Sequence, residues 1–483
     1  GLPDITGIDE GFSQYLRQYW LAQQVTTDEA VIGWADGSLP DYHEHDWNAS
    51  NEFITALYNR IIYQITSCNA FLRETTDGKL SARGVEGSLL DEIEVYKSEV
   101  RFLRALSYYH AIDLFGNFPF VTEKDEVGFF FPEQINRVDL FNFIESELLA
   151  IEGTLLAPRS NEYARADKAA AWTLLAKLYL NAEVYTGTGR YSECVNFSEK
   201  VINAGYSLET TYDNLFLADN HTTDGIIFPI AFDGLRTQSF GGTTFLIHAA
   251  VGGDMDPAEF GINGGWGGNR TTSALVNTFN SGIDLMASNN QIGDASNWGI
   301  VGSATPNSWN GPDVVLHQTN TTDVLQAFVS LVDGEIKFRK DNAWNGTDFG
   351  DDGSNIAVTA GLYKVTVNVN TQEFQLEKDP RALFYTEGQE LEIESISTFT
   401  DGYAITKFKN VDQNGNPGSD TSGDFTDTDF PLFRIADVYL MYAEANLRGG
   451  GGSEANAISY MNELRARANN FGTVTSIDLD FIL

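Results

Sequence analysis

The stretch 99–123, EVRFLRALSYYHAIDLFGNFPFVTE, decides how the rest of the chain is read. Apolar residues at Phe102, Leu103, Leu106, Tyr109, Ile112 and Leu114 recur with a helical period, so one face of this helix is expected to be buried. Gly116-Asn117 is expected to end it, because this pair accepts the left-handed backbone that closes a helix. Pro119 then holds Phe118 extended. The expectation is a long core helix running into a proline-locked aromatic turn.

Working outward, helices are expected over 10–22, 47–73 (with its cap among 50–53) and about 139–152. TTDEAVIGWADGS reads as a loop between the first two. A helix over 166–185 and its partner over 191–205 recur near the C-terminus as 433–450 and 453–469. Small residues at the crossings and large aromatics between them make these resemble tetratricopeptide-type pairs. Such units bury their faces only by stacking, which predicts a scaffold of about four helix pairs. IIFPIAFDG reads as a strand, and a glycine-rich irregular stretch follows to about 279.

The region 287–378 has another character. In GLYKVTVNVN, Tyr363, Val365, Val367 and Val369 alternate with Leu362, Lys364, Thr366 and Asn368, the period of a strand. A turn at Asn370-Thr371 returns the chain through Phe374 and Leu376. With WGIVG and GEIKFRK upstream, this predicts a small β-sandwich inserted in the helical chain.

Composition excludes several functions. The net charge of −38, from 68 acidic and 30 basic residues, opposes nucleic acid and anionic lipid, both of which need a basic surface. A neutral glycan is indifferent to it. Cys68 and Cys194 lie in expected helices without metal-ligand spacing and read as buried thiols. No apolar run approaches the ~20 residues needed to span a bilayer. There is no nucleophile elbow, phosphate-binding loop or zinc-protease motif, and the glycines at 264–268 lack the strand and helix of a nucleotide site. His43 and His45 have no further metal ligands and read as loop residues. No cofactor is expected, and no catalysis.

R-F-L-R-A-L-x-Y-Y followed by LFGxxPFVTE resembles the signature of the SusD/RagB family. The TDE loop, AxxLLAxLYLxA and RxADVYLMYAEA resemble that family too. The resemblance implies a mainly α scaffold of stacked helix pairs with irregular loops, in two parts, 1–286 and 379–483. It implies a non-enzymatic outer-membrane lipoprotein of Bacteroidota on the extracellular face. Such a protein captures polysaccharide for a TonB-dependent, SusC-like transporter. It also implies that a signal peptide and acylated cysteine lie outside this sequence. Family members continue past the last helix pair into an ER-EL-x-x-EG-R segment, whereas this sequence stops at SIDLDFIL. The 287–378 insert resembles the starch-binding β-domains of SusE and SusF, which points to an α-glucan. A β-glucan such as laminarin, a protein-interaction scaffold and a glycoside hydrolase are the alternatives.

Sugar binding needs aromatic faces with polar side chains beside them. Trp34, with Asp36 after it, sits on a loop as either platform or local packing; in starch-binding relatives an aromatic on this loop joins the binding arc. Trp266 is flanked by glycines and is expected to be exposed, with Asn263, Asn269 and Arg270 as hydroxyl partners. In the insert, Trp309 and Trp344 lie in Asn/Gly turns near Lys340 and Asn342. SusE/SusF-type domains use two aromatics with a basic or amide side chain. Trp47, Trp172 and Trp298 are expected in cores.

Overall fold

The computed structural model describes residues 11–128, 130–279, 293–319, 321–344, 346–359, 361–469 and 474–483, and all side chains among them except that of Leu362. The expected boundary at 287, the start of the first helix at residue 10 and the orientation of Leu362 lie outside these residues.

The helical part is built from Tyr15–Gln24 (α1), Glu52–Glu74 (α2), Ser88–Phe115 (α3), Arg137–Ile151 (α4), Lys168–Leu180 (α5), Tyr191–Ile202 (α6), Ile435–Ala445 (α7) and Glu454–Arg467 (α8), with shorter helices between. α3 ends as expected: Gly116 takes φ +73° and its N–H donates to the Ile112 carbonyl. Phe102, Leu106, Tyr109 and Ile112 are buried on one continuous core shared with α4 to α8. α3 packs on α2 and α4, α5 on α6, and α7 on both α6 and α8. Cys68 and Cys194 are free and buried, and burial pushes their thiols up to about 11 and about 12.

The motif that opens the reading is a clamp. The Tyr108 hydroxyl donates to the Val121 carbonyl at 2.7 Å and accepts from the Val121 N–H at 2.9 Å. Phe118–Pro119 pairs with Gln134–Ile135. Arg104, only 2% exposed, donates to Glu123 at 2.6 Å, to Glu147 at 2.7 Å and to the Asn69 side chain at 2.6 Å. Arg101 reaches the same Glu147 at 2.8 Å. Two carboxylates, two guanidinium groups and the Asn69 amide therefore tie α2, α3, α4 and the turn together. Burial opposes the charge on Glu147, but hydrogen bonds from Arg101 and Arg104 outweigh it and hold its pKa below the ordinary value.

Several boundaries differ from expectation. α2 begins at Glu52, capped by the Asn51 side chain, so Trp47 lies outside it and is 43% exposed rather than in a core. The expected loop after α1 contains a strand, Ala30–Ile32, paired with Asn269–Thr271. Residues 430–434 are a strand against Ile226–Ile230, so the helix expected from 433 starts at Ile435. Trp172 is half-buried against the core, its indole N–H donating to Glu152 at 2.8 Å.

The strand-rich region comprises Ala295–Val301 (β1), Val314–Gln318 (β2), Val324–Leu331 (β3), Gly334–Lys340 (β4), Asp348–Phe349 (β5), Ile356–Val358 (β6), Gly361–Asn368 (β7) and Glu373–Lys378 (β8). Pairing runs β5-β4-β1-β2-β3-β7-β8, with β6 also on β4. These strands enclose a core of their own, which includes Ile300, Phe338, Tyr363, Val365 and Val367. The alternation read from the sequence is realised: Lys364 stands on the other face and pairs with Glu377 at 2.9 Å. The β7-β8 hairpin closes at the expected turn, where the Asn368 side chain accepts from the Asn370 and Thr371 N–H groups. Trp298 packs on this core from its edge.

Candidate functional site

Two pairs of tryptophans are the candidate site, one on each part of the chain. The first pair is assembled by the strand contact Ala30–Ile32 with Asn269–Thr271. The pairing continues one step, Gly33 donating to the Gly268 carbonyl at 3.0 Å, and this brings Trp34 against the glycine-rich run. The Trp34 indole N–H donates to the Trp266 carbonyl at 3.3 Å, and the rings lie 6.5 Å apart at 46°. A Cβ on Gly268 would stand 2.6 Å from the Trp34 ring. Only glycine leaves room for the indole there.

Trp266 is not the isolated, exposed ring its glycine neighbours predict. It is half-buried, stacked on His248 at 4.6 Å and 22°. Its N–H donates to the His248 carbonyl at 2.7 Å. His248 Nδ1 is 2.7 Å from the Gly264 carbonyl, which can only accept, so Nδ1–H donates; burial lowers the His248 pKa. Phe240 lies 6.3 Å from Trp266 and 5.1 Å from Phe425, extending the aromatic surface. Beneath Trp34, Arg17 sits 4.1 Å from the Phe245 ring centre and 3.9 Å from that of Phe12.

The polar residues divide. Asp36 and Asn263 are exposed, and Asn263 donates to Asp424 at 2.6 Å. Asn269 and Arg270 are 2% and 1% exposed, which corrects the expectation that they meet a ligand at the surface. Strand pairing turns them inward, where Arg270 donates to the main-chain carbonyls of Ile396, Thr398 and Asp401. Its role is to hold the 396–401 loop.

The second pair is Trp309 and Trp344, 6.1 Å apart at 39°. Trp344 is 52% exposed. Underneath it, the Arg339 guanidinium lies 4.5 Å from the ring centre and makes a two-pronged pair with Asp313 at 2.8 and 2.6 Å. Asn342 accepts from the Asp313 N–H at 2.7 Å, so its side chain fixes the site from below. Lys340 stands on β4 two residues from the core residue Phe338, and strand alternation places it on the face opposite Arg339. Arg339 is the basic residue seated on the Trp344 ring. The period of β4 carried that signal. Trp47, expected in a core, is a further exposed aromatic, lying 5.6 Å from His45.

These surfaces hold partly exposed aromatic rings, with Asp36 exposed two residues after Trp34 and Asn263 exposed three residues before Trp266. The fold and the motifs define one class: a residue match to the SusD family covers 226–478, and the chain belongs to that family. Over 478 residues it is 32% identical to the starch-binding protein SusD of Bacteroides thetaiotaomicron, covering 97% of this chain and 73% of that one. A SusD superfamily protein from Parabacteroides distasonis has a similar fold, with TM-score 0.59 and 18% identity over 96% of this chain and 77% of that one. So has surface glycan-binding protein A from Bacteroides uniformis, with TM-score 0.57 and 16% identity over 96% and 77%. No helix among the described residues is long and apolar enough to cross a membrane.

Proposed function

We propose that this chain is a non-enzymatic, cell-surface glycan-binding protein that captures α-glucan for a SusC-like, TonB-dependent transporter. A lipid anchor outside this sequence would hold it at the extracellular face of the outer membrane. In this reading 1–286 and 379–483 form one SusD-like scaffold of tetratricopeptide-type helix pairs. Residues 287–378 are an inserted, SusE/SusF-like β-sandwich domain with a second site. The observation that carries the proposal is the pair of tilted tryptophans Trp309 and Trp344, inclined at 39°. Successive sugars of an α-1,4-linked glucan turn along a curving chain, so their apolar faces meet inclined rings better than coplanar ones. The relative named as starch-binding supports the same ligand.

Trp34, Trp266, Asp36 and Asn263 form the first site, and Trp309 and Trp344 the second, with Arg339, Asp313 and Asn342 positioning them. Two modest sites on one chain raise avidity for a long polymer. The test is retardation in native gels containing glycogen, laminarin or xylan, with reducing ends assayed in parallel. Retardation by glycogen without released sugar supports the proposal. Retardation by laminarin alone would move the ligand to β-glucan, no retardation would leave the protein-scaffold alternative, and released sugar would indicate a hydrolase.

A further inference from the structure

A cavity of about 790 Å3 is lined by residues from both 1–286 and 379–483, among them Ala30 and Asn269 of the strand contact behind the first tryptophan pair. Its wall carries Lys407, Arg434 and Arg467 around the rings of Tyr212 and Phe216. Lys407 Nζ is 4.6 Å from the Phe216 ring centre, and the Arg434 and Arg467 guanidinium carbons are 5.4 Å from Phe216 and 5.2 Å from Tyr212 respectively.

Such a concentration of positive charge is anomalous in a chain of net charge −38. Among the described residues two carboxylates line the cavity, Asp379 and Glu29, and Asp379 is engaged by Arg381 at 2.6 Å. Among the described residues, Nη1 of Arg434 and Nε of Arg467 are buried with no hydrogen-bond partner. Burial, followed by the repulsion of Arg434, lowers the Arg467 pKa to about 10. Like charges held together out of water cost free energy unless an anion offsets them.

We infer that this cavity seats an acidic polypeptide segment that also carries apolar side chains. A neutral glycan would leave the cations uncompensated, and a small oxyanion would leave most of the volume empty. The rest of the wall, with Leu246, Phe384, Phe408 and Met461, suits aliphatic or aromatic side chains between the acidic ones. Charge complementarity sets the attraction and the apolar wall sets the fit.

The test uses the whole chain and a short peptide alternating glutamate with leucine. The account requires this peptide to bind, more weakly as salt rises, and to lose at least about tenfold in affinity in both Arg434→Gln and Arg467→Gln. Equal binding of the glutamine–leucine counterpart would overturn it, as would affinity unchanged in both variants. Displacement of the peptide by inorganic phosphate at like concentration would assign a small-anion site instead and also overturn it. A folding readout guards against misfolded variants: Arg467→Met should leave the melting temperature of the unliganded chain unchanged or raise it. A fall would show that the guanidinium already has its counter-charge.

Discussion

The indole N–H of Trp34 donates to the main-chain carbonyl of Trp266 at 3.3 Å, across 232 residues of sequence. That bond makes one surface of two loops. Trp34→Phe keeps an aromatic face and removes the donor, and the melting temperature should fall slightly while glycan binding persists. Trp34→Ala also removes packing against Phe12 and Phe245, costing about 2 kcal/mol or more in denaturant titration. Gly268→Ala should mimic it in part, because the added methyl collides with the Trp34 ring, at about 1–3 kcal/mol.

Glu147 accepts from both Arg101 and Arg104. Arg104→Met strips half-buried Glu123 of its arginine and leaves Glu147 only Arg101, and should cost about 3 kcal/mol, read by urea unfolding. Arg101→Met removes a more exposed partner and should cost distinctly less. A smaller effect at Arg104 than at Arg101 would contradict the clamp.

The pH dependence follows from shifted groups. Glu147 and Glu123 have folded pKa values below 4.5 because their arginine hydrogen bonds outweigh burial. Their contribution is present above 4.5 and is lost as pH falls through the lower folded values. His110, 2.8 Å from the Tyr15 hydroxyl, is lowered by burial from 6.5 to about 3. The unfolded chain therefore takes up this proton first, and stability declines as pH falls from 6.5 towards 3. His110→Phe should flatten the decline between pH 6.5 and 4.5, as measured by melting temperature against pH.

Asp313→Asn should loosen Arg339 under Trp344. The pair is 3% and 2% exposed at its side chains, so breaking it should cost about 3–5 kcal/mol and weaken glycan binding together with stability. Trp344→Ala removes a half-exposed ring and should weaken binding with less than about 1 kcal/mol of stability lost. Equal stability losses would show that Trp344 serves packing.

Local pattern made much of this fold legible. The period and Gly116 stop of α3, the recurring helix pairs and the alternation of β7 all lie within short windows of sequence. What escaped depends on distant partners. Asn269 and Arg270 follow a glycine run that looks exposed, yet pairing with Ala30–Ile32 turns both inward. Trp266 has no neighbours in sequence to pack on, but His248 and Trp34 reach it in space. The helical period over 47–73 takes in Trp47, yet the helix starts five residues later, at Glu52. Arg339 was legible from strand alternation alone, since Phe338 fixes which face β4 turns to the core.

The central claim is that tilted tryptophan pairs hold an α-glucan, and calorimetric titration with a linear α-1,4 gluco-oligosaccharide tests it most directly. Trp266→Ala and Trp344→Ala should each weaken binding, and the double variant should abolish it while keeping a cooperative melt. A folded double variant that binds like the parent chain would contradict the account.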